Sequence, residues 1–286
     1  MRNFMMAASA ATLAVLAGSV TTASAEPRGY EVSDFDEVTA IGPNHVLVSV
    51  GPARSVRAEG PQEMLDFMKI TVEDGELKIL PRKEHRREWD WEWPDTGPAT
   101  FYVTLPELDA VALVGSGNIT VDRASGEAFS AVIAGSGTLD LAAVTVDEAN
   151  FSIAGSGGLK ARGTAQRAHF SIAGSGKVEA RGMTSRTASV SIAGSGDADL
   201  SASDDVQISV VGSGRVEIAG GARCIVSHFG GGKALCNGVE VEPHSRWAMW
   251  GGEGDWDWSD QDWGEWRDWQ HWRDQRRRER GDRHHD

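Results

Sequence analysis

Apolar and polar residues alternate with a period of two along most of the chain between Phe35 and Leu235. In the first part the alternating segments are FDEVTAI, HVLVSV, SVRAEG, MKITVEDGELKIL and ATFYVTLPELDAV. Such alternation predicts strands that bury one face. Asp74-Gly75 marks a tight turn between two of them, and PQEMLDF, opened by Pro61, predicts one short helix.

Beyond Asp109 the alternation becomes a repeat. Six copies are visible: VALVGSGNITV, AVIAGSGTLDL, FSIAGSGGLKA, FSIAGSGKVEA, VSIAGSGDADL and ISVVGSGRVEI. Their glycine pairs are Gly115/Gly117, Gly135/Gly137, Gly155/Gly157, Gly174/Gly176, Gly194/Gly196 and Gly212/Gly214, and a degenerate seventh copy, HFGGGKALC, has its first glycine at Gly230. Successive copies are 18 to 20 residues apart. Gly-Ser-Gly joins two strands within each copy, because glycine reaches φ > 0 at a sharp corner without a Cβ clash. An antiparallel meander and a stacked coil could both use such strands. Near-identity of the copies favours the coil, since stacking places like on like: Phe151 meets Phe170 and the isoleucines form one internal ladder. The fold expected is all-β, a parallel β-helix-like solenoid of about seven coils behind an N-terminal β cap.

The ends of the chain have another character. Arg2, the apolar run Phe4–Gly18 and Ala23-Ser24-Ala25 read as a secretory signal peptide cut after Ala25, and the run is shorter than the ~20 residues of a membrane span. An uncleaved anchor is the alternative; no Cys follows the run, so a lipid anchor is not expected. The organisation expected is a signal peptide at 1–25, the solenoid at 26–246 with a loop at 82–98, and a low-complexity tail at 247–286. No transmembrane span is expected in the mature chain, which would be periplasmic, secreted or at the cell surface.

Composition narrows the function classes. Of 286 residues 34 are Gly, and the net charge is −14. An acidic chain without a basic face in its body is a poor ligand for nucleic acid, whose affinity comes from cations on phosphates. All eleven Trp lie outside the repeats. Trp89, Trp91 and Trp93 alternate with acids in the loop, and Trp256, Trp258, Trp263, Trp266, Trp269 and Trp272 recur in the tail. Exposed Trp commonly stacks on sugars, sits at a membrane interface or anchors a protein partner. These nine are the candidate binding residues; loop and tail packing over the solenoid's ends is the alternative.

Other chemistry is sparse. Gly-Ser-Gly opens strands here, whereas phosphate loops open helices. The serines of the corners have no His–acid partner at a repeated offset, so nucleophilic catalysis has no support. Asp197 and Asp199 form the one double carboxylate on the outward face of the strands after the corners, where a polysaccharide lyase or hydrolase would need converging carboxylates. Cys224 and Cys236 flank Gly230 at inward positions. In an exported chain they read as a disulfide stapling the last coil, ahead of two free thiols or a zinc site with His228 and His244. No cofactor, metal or catalytic residue is expected.

The segments FDEVTAIGPNHVLVSVGPARSVRAEG, ITVEDGELKIL and FYVTLPELDAVALVGSGNITV, followed by the Gly-Ser-Gly repeats, resemble in this order the bacterial autotransporter adhesin head GIN domain family. The resemblance runs from about Tyr30 to Val241. It implies a right-handed parallel solenoid in an exported protein of unassigned biochemical function, and brings no catalytic residues. The Trp-rich loop and tail depart from the family pattern, and no set of strands for a translocating barrel follows the repeats. The function expected is a non-enzymatic surface or envelope module. Its partner would be an envelope component, polysaccharide or protein. A carbohydrate-active enzyme and a self-associating rod are the alternatives.

Overall fold

A computed structural model describes residues 27–82, 86, 87, 90, 91 and 93–241, with the backbone alone at 86, 87, 90 and 91. The signal peptide and the Trp-rich tail expected from the sequence lie outside the described residues.

The N-terminal part contains β1 (Arg28–Tyr30), β2 (Glu37–Ile41), β3 (His45–Val50), β4 (Ser55–Glu59), α1 (Gln62–Phe67), β5 (Met68–Glu73), β6 (Glu76–Pro81), β7 (Arg86–Arg87), β8 (Asp90–Trp91) and β9 (Thr100–Leu105). The repeats supply β10 (Ala110–Gly115), β11 (Asn118–Val121), β12 (Ala124–Gly135), β13 (Thr138–Gly155), β14 (Gly158–Gly174), β15 (Lys177–Gly194), β16 (Asp197–Gly212), β17 (Arg215–Ala219), β18 (Arg223–Phe229) and β19 (Lys233–Cys236), and β20 (Val239–Glu240) follows.

Every repeat strand pairs in parallel with its counterpart one copy away, and the corners stay in register: Gly135 with Gly155, Gly155 with Gly174, Gly174 with Gly194, Gly194 with Gly212. The fold is therefore a parallel β-solenoid. It makes about six turns, slightly fewer than the seven copies suggest. Seven corners from Gly115 to Gly230 bracket six intervals, and after the seventh the chain reverses as β20, antiparallel to β19.

The two glycines of each corner serve different ends. The first, at Gly115, Gly135, Gly155, Gly174, Gly194 and Gly212, has φ between +117° and +129°. A Cβ on it would also collide with the carbonyl oxygen of the first glycine one coil earlier, as for Gly155 against Gly135. That carbonyl accepts a hydrogen bond from the corner serine of the next coil, 2.9 Å from Ser156 N to Gly135 O.

The second glycine has no positive φ at any of Gly117, Gly137, Gly157, Gly176, Gly196 and Gly214, so the turn itself does not require it. It is needed because it stacks closely on the coil before. Gly117 is buried against the rung beneath, where a Cβ would strike the carbonyl oxygens of Asn44 and Gly42. At Gly137 a Cβ would meet the Gly117 carbonyl oxygen and the Cδ2 of Leu113. From the third copy on, the obstacle is the previous coil's internal Ile: a Cβ on Gly157, Gly176, Gly196 or Gly214 would strike the Cγ2 of Ile133, Ile153, Ile172 or Ile192. Small size at this position makes room for the ladder.

The core of the coils is that ladder and its neighbours. Phe151 and Phe170 stack with ring centroids 5.0 Å apart, and Phe129 meets Phe151 edge-on at 6.5 Å. The 19-residue step from Gly155 to Gly174 is absorbed at a register shift between Leu141 and Val144, where Gly163 takes φ +127° directly against the Val144 backbone.

The N-terminal part does not stack in chain order. β2 lies between β6 and β10, all parallel, and β3 lies between β9 and β11, also parallel. The rung of residues 37–50 is therefore sandwiched between the rung of residues 76–105 and the first repeat. Gly42, with φ +114°, forms a further corner directly below Gly115. In the rung beneath, the loop 82–98 occupies the place of a Gly-Ser-Gly corner, between β6 and β9. Antiparallel strands finish this end, β5 on β6, β4 on β9 and β1 on β4.

Candidate interaction surface

Two of the solenoid's strand faces differ in character. On the strands that precede the corners, the outward columns read Ala110, Ser130, Asn150, His169, Ser189, Gln207, Ile225; then Ala112, Val132, Ser152, Ser171, Ser191, Ser209, Ser227; then Val114, Ala134, Ala154, Ala173, Ala193, Val211, Phe229. No Asp, Glu, Lys or Arg occurs in these three columns, whereas the next column on the same strands, Ala128, Glu148, Arg167, Thr187, Asp205 and Arg223, is charged. Of the six exposed large hydrophobic residues among the described residues, four lie here, Val114, Val211, Ile225 and Phe229.

The strands after the corners carry charge at most outward positions, and neighbouring coils pair it. Lys160 and Lys177 both reach Glu179, at 3.5 and 2.6 Å. Arg181 bridges Asp199 at 2.7 Å and Glu217 at 2.8 Å. The hydrogen bond from Lys177 holds the Glu179 carboxyl below the ordinary glutamate range, and those to Asp199 and Glu217 hold the Arg181 guanidinium more firmly protonated. Asp197 stacks between Lys177 and Arg215. Asp199 stacks between Glu179 and Glu217 and, among the described residues, is paired with Arg181 alone. Among the described residues no three His, Cys, Asp or Glu side chains are grouped to hold a metal ion.

Other candidate residues divide by position. The corner serines are exposed in a row along one edge. Trp93 is half-buried, its ring 5.1 Å from that of Phe67 and packed under Gly42, where any Cβ would overlap it. It anchors the C-terminal side of the 82–98 loop to the core. The side chains of Trp89 and Trp91 lie outside the described residues, as do Trp256, Trp258, Trp263, Trp266, Trp269, Trp272 and His244. Cys224 and Cys236 are joined as a disulfide with Cα atoms 6.3 Å apart. Cys224 stacks on Val206 and Cys236 on Ile218, so the bond ties two strands of the last rung across the end of the core.

One important polar residue was hidden in the sequence. Asn44 is buried, accepts a hydrogen bond from Ala99 N at 2.9 Å through its Oδ1, and directs its Nδ2 at the Met68 sulfur, 3.5 Å away. It draws the chain back to the core after the 82–98 loop. Its place right after a Gly-Pro corner was the available signal.

The family described as "Putative auto-transporter adhesin, head GIN domain" matches residues 34–222. The chain belongs to this family. Solved structures share the head GIN fold. A "Putative lipid binding protein" from Parabacteroides distasonis ATCC 8503 is 24% identical with a TM-score of 0.63, over 75% of this chain and 97% of that one. A "putative adhesin" from Bacteroides fragilis NCTC 9343 is 19% identical with a TM-score of 0.62, over 73% and 95%. A further "putative adhesin", from Parabacteroides merdae ATCC 43184, is 15% identical with a TM-score of 0.57, over 75% and 97%. At these identities the likeness is one of fold. No curated protein matches the chain. Among the described residues no helix is long and apolar enough to cross a membrane.

Proposed function

We propose that the chain is an exported, non-enzymatic interaction module, in which the head GIN solenoid of residues 26–246 is a rigid scaffold and the Trp-rich loop and tail make the contacts. The observation that carries this reading is the distribution of tryptophan: all eleven lie outside the repeats, while the repeats use small and aliphatic residues. A family named for adhesins supports the class, and the pairing of Asp199 with Arg181 supports a non-enzymatic reading.

Binding of the full chain is compared with that of a chain lacking Gly251–Asp286. The probes are isolated bacterial cell walls, and vesicles of phosphatidylethanolamine with phosphatidylglycerol. The truncated chain is expected to keep its strand-rich circular dichroism and to lose binding. Equal binding by both chains rejects the tail as the contact. Fractionation of the producing cell, with mass analysis of the mature N-terminus, tests export and cleavage after Ala25; a cytoplasmic protein starting at Met1 rejects that part.

A further inference from the structure

The strand faces before and after the corners have four ends between them, and three finish in an antiparallel strand that is very short or carries charge: β5 on β6, with Lys69 and Glu73; β1 on β4 beyond β9, three residues with Arg28; and the two-residue β20 on β19. The fourth end is β18. It pairs in parallel with β16 on one side, and among the described residues no strand pairs with its other side. An open strand edge presents a row of unpaired N–H and C=O groups and templates pairing, so exposed edges usually carry Lys, Pro or a bulge. β18 reads RCIVSHF and has none of these. Its one charge, Arg223, is paired with Asp205 at 2.7 Å. Ile225 and Phe229 point outward from it, 64% and 79% exposed. The Cys224–Cys236 disulfide pins the strand, so the edge is held in place rather than frayed.

We propose that β18 is a self-association edge, which a second copy of this chain covers with its own β18. A twofold axis through the edge sets the two strands antiparallel, the orientation found at the other three ends. The three uncharged columns of each copy then run on into those of the other. Two strongly acidic chains, each of net charge −14, meet there with their charged faces turned aside. Pairing of β18 with β18 uses the same edge of both copies, so the contact is isologous and growth stops at two copies. One seven-residue edge with two apolar side chains buries less than the ~1,200 Å² of a standard stable interface, so the dimer is reversible and forms in the micromolar range. This inference does not depend on the Trp-rich segments being the contact sites.

Sedimentation velocity on the full mature chain, from about 1 to 300 μM, tests it. A reversible monomer–dimer equilibrium without larger species is expected. Ile225→Lys and Phe229→Lys, each placing like charges across the twofold, should weaken the dimer at least about tenfold while leaving circular dichroism and Tm unchanged. Leu47→Lys, exposed on a rung away from the edge, should leave it unchanged. Amide exchange gives a second reading: protection of β18 should rise with protein concentration, and that of β20 should not. A monomer throughout the range, a dimer indifferent to both β18 substitutions, or open-ended polymers would each overturn the proposal.

Discussion

In the coils from Ala110 to Cys236 the core is built from stacked small and aliphatic side chains, whereas between Phe35 and Leu108 it is filled by bulk. Phe35, Phe101, Met64, Leu65 and Met68 are fully buried in the N-terminal region. The coils instead repeat one column over and over, Leu113, Ile133, Ile153, Ile172, Ile192 and Val210. The difference teaches how each region is specified. A coil is held by identity with its neighbours, so a fault at one corner is transmitted to the next. The N-terminal region is held by individual shapes and by one buried amide, so its faults stay local.

The sharpest way to break this contrast is at a corner glycine. Gly155→Val should leave the chain insoluble or unfolded by circular dichroism, because φ +122° and the Gly135 carbonyl both reject a side chain there. Gly97→Ala is the matched control: φ is +91° but nothing lies near, so a cost of only about 1–2 kcal/mol is expected. Next is Phe151→Ala, which removes a ring buried between two others and should cost about 3–5 kcal/mol in chemical denaturation.

In the N-terminal region Asn44→Ala should cost about 1–3 kcal/mol, since it strands the buried Ala99 N–H. Limited proteolysis should then cut first in the 82–98 loop; unchanged cleavage there would count against its tethering role. Reduction of Cys224–Cys236, which closes a short loop of sequence separation 12, should cost about 2–3 kcal/mol and raise amide exchange in β18 and β19 before the central coils.

The smallest effects are on the charged face. Asp199→Ala should change stability by less than about 1 kcal/mol, because its ion pair is exposed. Acid should act in one direction. The carboxyls of Asp66, beside Arg28, of Glu148, beside Asn150 and Arg167, and of Glu179, beside Lys177, are held below their ordinary values. A carboxyl depressed in the folded state contributes stability that is present above its unfolded pKa of about 4 and is lost as pH falls through the folded value. Tm should be flat from pH 7 to 5 and decline below about pH 4; a rise on acidification would contradict these pairings.

Much of the coil region was legible because its signal is redundant. Six Gly-Ser-Gly corners with alternating flanks restate one geometry, and the parallel register follows from matching Phe151 to Phe170 and Ile153 to Ile172. The positive φ of the first glycine was also readable from residue type. The reason for the second, from Gly117 and Gly137 onward, was not readable, because its need for a bare Cα comes from the coil lying beneath it and not from its own turn. Gly163 was overlooked for a similar reason: it belongs to no repeat and becomes necessary only where a 19-residue coil sits on a 20-residue one.

By itself, the sequence determined the period, the inward and outward sides of each strand and the axis along which like residues stack, because these follow from local sterics and from a repeat that names its own neighbour. The tertiary structure alone decided that residues 76–105 lie beneath residues 37–50 although they come later in the chain, that the Trp93 ring fills the space under Gly42, and that no strand among the described residues pairs with the second side of β18. Non-repeated strands carry no label for their partner. Alternation tells each of them which side to bury, but the rung beside which it lies is settled only when the whole set of edges and volumes is packed together.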